Sequence, residues 1–205
     1  MKIHIGIIAG CFLASSVAMA SPLQYDIRGF GAASSYAFSS MVRPEFGAAV
    51  RMENAQRQYL ELHARTGLRN ADPNGGRASV VSVYAGDNFL HTRIGAVPFI
   101  AGLYAGYQHL WYGPLYNNAL GGGLRLQTRI AGVTLTAKVA ALYGLSGTIG
   151  WHLQCPGNAY VFYGRAAYPV SENLSVFTFV RQERYVGDGN ALTAFDTGVG
   201  LQARF

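Results

Sequence analysis

From Thr193 to Phe205 the chain reads TAFDTGVGLQARF. The odd positions are Thr193, Phe195, Thr197, Val199, Leu201, Ala203 and Phe205, and the even ones are Ala194, Asp196, Gly198, Gly200, Gln202 and Arg204. Successive side chains of a β-strand point to opposite faces, so this segment has one apolar face and one small or polar face. A slip of one residue would carry Asp196 and Arg204 onto the apolar side, and the register is therefore strongly specified.

The same period of two recurs upstream. Phe46, Ala48, Val50 and Met52 alternate with Glu45, Gly47, Ala49, Arg51 and Glu53, and Leu60, Leu62, Ala64 and Thr66 alternate with Tyr59, Glu61, His63 and Arg65. Leu120, Gly122, Leu124, Leu126, Thr128 and Ile130 alternate with Gly121, Gly123, Arg125, Gln127 and Arg129. Val133, Leu135, Ala137, Val139, Ala141 and Tyr143 alternate with Thr134, Thr136, Lys138, Ala140 and Leu142. These are strands with one apolar face, not helices. Glycine, present 26 times and spread through the periodic segments, also argues against helix.

Of the 205 residues 50% are hydrophobic and only 13% charged, against about a quarter charged in ordinary soluble domains. Beyond the N-terminus no apolar run approaches the roughly 20 residues of a spanning helix. In lipid every backbone polar group must be satisfied internally, which leaves the closed barrel as the other spanning structure. The expected fold is all-β, a transmembrane antiparallel up-and-down barrel in the outer membrane of a Gram-negative cell. Its apolar face is the outer one. Phe205 at the end of the last strand is similar to the terminal-aromatic signature of such barrels, and is the expected signal to the barrel-assembly machinery.

Ten strands are expected near 24–34, 45–53, 57–66, 78–86, 95–109, 118–130, 132–143, 158–167, 172–184 and 192–205, with eight strands as the competing count. Short links are Asn54-Ala55-Gln56, Ala131 and the stretch from Tyr168 to Ser171; long ones are 35–44, 67–77, 110–117, 144–157 and 185–191. The short set is expected on the periplasmic side and the long set outside. Gly29 and Gly31 interrupt the first strand, Pro98 lies in the fifth, and 172–184 alternates ambiguously between Leu174, Val176, Val180 and Phe177, Phe179. A soluble β-sandwich is the main rival; it would alternate equally but hide its apolar face in a core.

Residues 1–20 read as a cleaved signal peptide: Lys2 is the basic start, Ile5 to Val17 the apolar stretch and Ala18-Met19-Ala20 the cleavage site, leaving 21–205 as the barrel. Ile8-Ala9-Gly10-Cys11 offers a competing lipobox. With Cys11 removed, Cys155 has no intramolecular partner. The net charge of +6 falls to +5 without Lys2 and is almost all arginine. In an exported chain this points to anionic lipid headgroups, lipopolysaccharide included, or to internal carboxylates rather than to nucleic acid.

The alternation places a mixed set of charges inside: Asp26, Arg28, Glu45, Arg51, Glu53, Glu61, His63, Arg65, Arg125, Arg129, Lys138, Arg165, Asp196 and Arg204. In a barrel of eight to ten strands the interior is narrow, so opposite charges are expected to pair and fill it. The rival is a narrow pore preferring anions, because arginine outnumbers acid. His63 is expected to join this network rather than act as a base.

Chemistry is thinly represented. The loop carrying Ser146, Thr148, His152 and Cys155 is where a nucleophile and base for a lipid-modifying enzyme would be sought, but no third orienting group is evident. His109, beside Trp111 and Tyr112, reads as part of an aromatic belt. Asp87-Asn88 and Asp188-Gly189-Asn190 read as turns rather than calcium loops. No cofactor motif and no metal-ligand spacing is present, so neither is expected, and the chain is expected to be a monomer.

The C-terminal half, roughly 95–205, resembles the YfaZ family of small outer-membrane proteins. The features are Gly121-Gly122-Gly123-Leu124 opening a strand, the approach from Arg165 to Pro169 followed by Leu174-Ser175-Val176, then Arg184-Tyr185, the loop Gly187-Asp188-Gly189-Asn190 and the closing Gly198-Val199-Gly200. The resemblance implies a closed outer-membrane barrel of unassigned biochemical role and supplies no catalytic residues.

Overall fold

The computed structural model describes residues 22–36, 42–67, 78–112, 115–148, 157–187 and 190–205. The signal-peptide reading of 1–20, together with His152, Cys155, Asp188 and Gly189, falls outside them. Ten strands follow one another: β1 (Gln24–Tyr36), β2 (Val42–Glu53), β3 (Gln58–Gly67), β4 (Ala78–Ile94), β5 (Val97–Tyr112), β6 (Leu115–Ile130), β7 (Val133–Thr148), β8 (Asn158–Pro169), β9 (Leu174–Gly187) and β10 (Asn190–Arg204). Each pairs antiparallel with the next, and β1 closes on β10 from Asp26 opposite Arg204 to Tyr36 opposite Ala194. The count of eight is thereby excluded. With 10 to 17 residues, each strand meets the roughly 9–11 that a tilted spanning strand needs.

One end of the barrel carries only tight connections. Ala131 and Gly132 both have positive φ, 49° and 83°, the backbone a two-residue hairpin requires. Gly95, with φ 64°, turns β4 into β5. At this turn end the Asn54 side-chain oxygen accepts from the Gln58 backbone N–H at 2.9 Å, and the amide of Ser171 bonds back to the carbonyl of Leu174 at 3.1 Å.

Several boundaries differ from the sequence reading, mostly because strands run further than their alternation. β6 begins at Leu115 and β7 reaches Thr148, so Ser146 and Thr148 belong to a strand and not to the expected loop. Gly121 to Leu124 lies within β6 and does not open it. Asp87 and Asn88 are not a turn either: β4 continues through them with a bulge, the register against β5 shifting between Asp87 and Leu90. A bulge adds one residue to one strand and re-aims a side chain. Here it leaves Asp87 exposed and turns Asn88 into the lumen, 4% exposed.

The alternation of the sequence becomes an inside and an outside. Ile27, Phe46, Leu62, Leu103, Leu124, Val139, Val176, Val199 and Leu201 stand on the outer surface around the ring, Val199 being 64% exposed. A soluble sandwich would bury these faces, and so wide an apolar surface is foreign to water-soluble monomers. Inside, small residues make room for large ones. A Cβ on Gly123 would lie 2.0 Å from the Val139 carbonyl oxygen and 2.8 Å from the Tyr104 ring, whose hydroxyl donates to that same carbonyl at 3.2 Å.

Candidate functional site

Among the described residues, buried charge is concentrated in the lumen, and it is layered. Nearer the loop end β2, β3, β9 and β10 bring together Glu45, Arg65, Arg181, Glu183 and Asp196, all almost wholly buried. Arg65 Nη1 reaches Glu45 at 2.9 Å and Asp196 at 3.3 Å, and its Nη2 bonds to Glu183. Arg181 Nη2 lies 2.6 Å from both Glu45 and Asp196, and its Nε donates to Asp196 at 2.7 Å. Ser34 donates to Glu45 Oε2 at 3.3 Å, and Gln108 and Tyr185 donate to Oε1 and Oε2 of Glu183 at 3.3 and 2.8 Å. Charges in a low-dielectric interior are tolerated only when paired and hydrogen-bonded in this way. Because β3 and β9 are not neighbours, the pair Arg65–Glu183 crosses the lumen and ties opposite walls.

An apolar layer of Val80, Leu110, Ala119, Leu142, Ala159, Leu192 and Ala194 also faces inward toward the loop end. Below the ion pairs, aromatic rings take over. Phe179 meets Phe30 edge-on at 5.1 Å between centroids and Tyr163 at 5.9 Å. His63 stacks on Phe30 at 5.5 Å.

Toward the turn end a second set of charges surrounds a cavity of about 500 Å³. Arg28 contacts Asp26 at 3.1 Å and Glu61 at 3.2 Å, and Lys138 donates to Glu61 at 2.7 Å. Arg51 pairs with Glu53 at 2.6 Å and lies 3.8 Å over the Tyr59 ring. Among the described residues Arg125 and Arg165 hydrogen-bond only to neutral groups: Arg125 donates to Asn88 at 2.8 Å and to Gln127, and Arg165 donates to Gln202 at 2.9 Å.

Of the residues expected in one network, Glu45, Arg65 and Asp196 form the upper cluster, while Arg51, Glu53, Glu61 and Lys138 belong to the lower set. Five residues depart from that expectation. Arg129 is exposed near the turn end, because β6 runs down to Ile130 where an inward-pointing side chain meets water. Arg204 has a side chain 55% exposed and stands 3.9 Å from Asp26, a rim contact rather than a buried pair. His63 makes no hydrogen bond or ion pair among the described residues and packs as a ring. Arg125 and Arg165 lie within the lumen but outside the ion-pair network.

Arg181 and Glu183 are the functional residues the sequence reading missed. On β9 both faces mix apolar and polar residues, Phe177, Phe179, Arg181, Glu183 on one and Val176, Val180, Gln182, Arg184 on the other, so alternation alone chooses neither. The missing signal was cross-strand: with Asp196 inward, its β9 partner Arg181 must be inward too.

On the outside, near the loop end, Tyr107, His109 and Asn118 form a small polar cluster with Ser146. Asn118 Oδ1 bonds to both the Tyr107 hydroxyl and His109 Nδ1, and its Nδ2 donates to Ser146 Oγ at 2.8 Å. Trp111 and Tyr116 pack against His109. Asn118 stands between imidazole and hydroxyl, whereas a base that activates serine must itself bond to the hydroxyl. No three His, Cys, Asp or Glu side chains converge as a metal site among the described residues.

A closed antiparallel barrel with a lipid-compatible exterior and a paired, polar interior defines the class: this is an outer-membrane β-barrel protein. No protein-family model and no curated protein sequence matches the chain. Among solved structures, the outer membrane protease OmpT from Escherichia coli superposes with a TM-score of 0.55 at 12% identity, covering 90% of this chain and 94% of that one. Neisserial surface protein A gives 0.45 at 9% identity, with 89% and 97% covered. The outer membrane phospholipase A from Escherichia coli gives 0.41 at 13%, with 88% and 95% covered.

Proposed function

We propose that this chain is a structural or surface-interaction protein of the outer membrane, a monomer whose charged lumen is filled toward the loop end, and neither an enzyme nor a pore. The observation carrying this reading is the cluster of Arg65 and Arg181 with Glu45, Glu183 and Asp196, which spans the lumen where a conducting path would have to pass. Folds of this type carry many activities, so the activities named for similar structures do not transfer. Against an enzyme stands the geometry of His109, Asn118 and Ser146. In planar bilayers the purified barrel is expected to give no steady conductance; a sustained anion-selective channel would overturn the filled-lumen reading.

The exterior suits lipopolysaccharide as a lipid partner. Arg184 is exposed on the outward face of β9 near the loop end, beside the exposed Tyr160 of β8, where a guanidinium can meet an anionic headgroup. Phe205 belongs to the same reading as the signal to the assembly machinery. Its N–H and C=O each bond to Tyr25 at 3.0 Å, while the residue is 71% exposed and accessible for recognition. Deleting Phe205 is expected to lower the amount of folded barrel in the membrane severalfold; an unchanged amount contradicts that role. Kinship with the YfaZ family is also part of the proposal, resting on the glycine-rich run in β6 and the closing Gly198-Val199-Gly200 of β10.

A further inference from the structure

We propose that the turn end of the lumen is a binding site for a phosphate dianion, free or as a monoester, held by Arg125 and Arg165 with the hydroxyl of Thr136. The three residues share one wall of the cavity. Arg125 on β6 stands opposite Lys138 on β7, and Thr136, two residues from Lys138, stands opposite Arg165 on β8. Three adjacent strands are about 10 Å wide, within reach of two arginine side chains converging on one ligand.

The charge count selects the ligand. Arg125 and Arg165 are 6% and 8% exposed, and no carboxylate lies within 4.0 Å of either among the described residues. The Nε atoms of both and Oγ1 of Thr136 are buried without a hydrogen-bond partner. Lys138 on the same wall is already neutralised by Glu61. Two buried cations with no carboxylate in direct contact are costly, and a dianion supplies the contact they lack. The planar guanidinium fork fits phosphate oxygens in pairs, and a phosphate monoester carries about −1.5 to −2 charge at neutral pH.

The cavity has the shape of a site and not of a channel. Its 500 Å³ falls within the range of about 300–1,000 Å³ typical of small-molecule sites, leaving room for an organic group beside the phosphate. Seven basic and four acidic residues line it, giving an attractive field for anions. The aromatic layer and the upper ion pairs close it on the loop side, so a ligand enters from the turn end, periplasmic by the orientation of such barrels. The site is independent of any structural role of the barrel.

The test is isothermal titration of the full barrel in detergent with inorganic phosphate and, separately, with glycerol 3-phosphate. Saturable binding near one ligand per barrel is expected for at least one of them, and comparing the two says whether the free ion or the ester is preferred. The double variant Arg125→Gln/Arg165→Gln is expected to weaken binding at least about tenfold, the loss of charge-assisted hydrogen bonds. Arg129→Gln, on the exposed part of β6, should bind as the parent does. Thr136→Val, which leaves every charge in place, is expected to weaken binding severalfold and serves should the double variant not fold. Absence of saturable binding of either ligand by the parent protein overturns the proposal, and so does equal binding by a folded double variant.

Discussion

Replacing Arg65 with methionine is expected to destabilise the barrel by about 3–5 kcal/mol, the range found when one partner of a buried ion pair is removed. Arg65 is the sole described partner joining β3 to the carboxylates of β2, β9 and β10 at once. Without it Glu45, Glu183 and Asp196 share Arg181 alone, three buried carboxylates against one guanidinium. Urea unfolding in detergent or lipid vesicles reads the loss. Adding Glu45→Gln and Glu183→Gln to Arg65→Met should restore part of it, since the penalty lies in the stranded charges more than in the lost contacts. A single variant as stable as the parent would mean that the upper cluster does not hold the walls together.

The second large effect lies on the other face. Val199 sits midway along β10, between Gly31 of β1 and Thr178 of β9, pointing outward and 64% exposed. In water an arginine there would be innocuous. At the midplane of a bilayer it costs about 2–4 kcal/mol. Val199→Arg is therefore expected to lose that much stability in lipid vesicles, while Val199→Leu stays within about 0.5 kcal/mol. If both variants unfold with the parent, the outer face of β10 does not meet lipid.

The two faces were not equally legible in the sequence. β10 could be read because Asp196, Gln202 and Arg204 all share one parity and Phe195, Val199 and Leu201 the other, so that only one orientation is compatible with lipid. β9 could not, because Gln182 and Arg184 make its outward face as polar near the loop end as Arg181 and Glu183 make the inward one. Its orientation is settled by pairing with β10, information that resides in the fold and not in one strand's alternation. The bulge at Asp87 and Asn88 was hidden for a related reason. Asp and Asn favour turns locally, and only the continued pairing of Leu90 with Ala101 shows that the strand goes on. That bulge places the Asn88 side-chain oxygen against Arg125, leaving the guanidinium with a neutral partner.

The separation of paired from unpaired charge was likewise out of reach of sequence. Alternation places a residue inside but says nothing of its height along the axis. Height decides that Arg65 meets three carboxylates, that Arg165 meets Gln202, and that Arg129 meets water.

The measurement that bears most directly on the central claim is the electrophoretic mobility of the protein extracted from membranes, with unboiled and boiled samples compared side by side in detergent gels and β content checked by circular dichroism. A closed transmembrane barrel predicts a membrane-bound protein with a β spectrum whose band shifts on boiling. A protein recovered from the soluble periplasmic fraction, with no shift, would contradict the account and return the chain to a soluble sandwich.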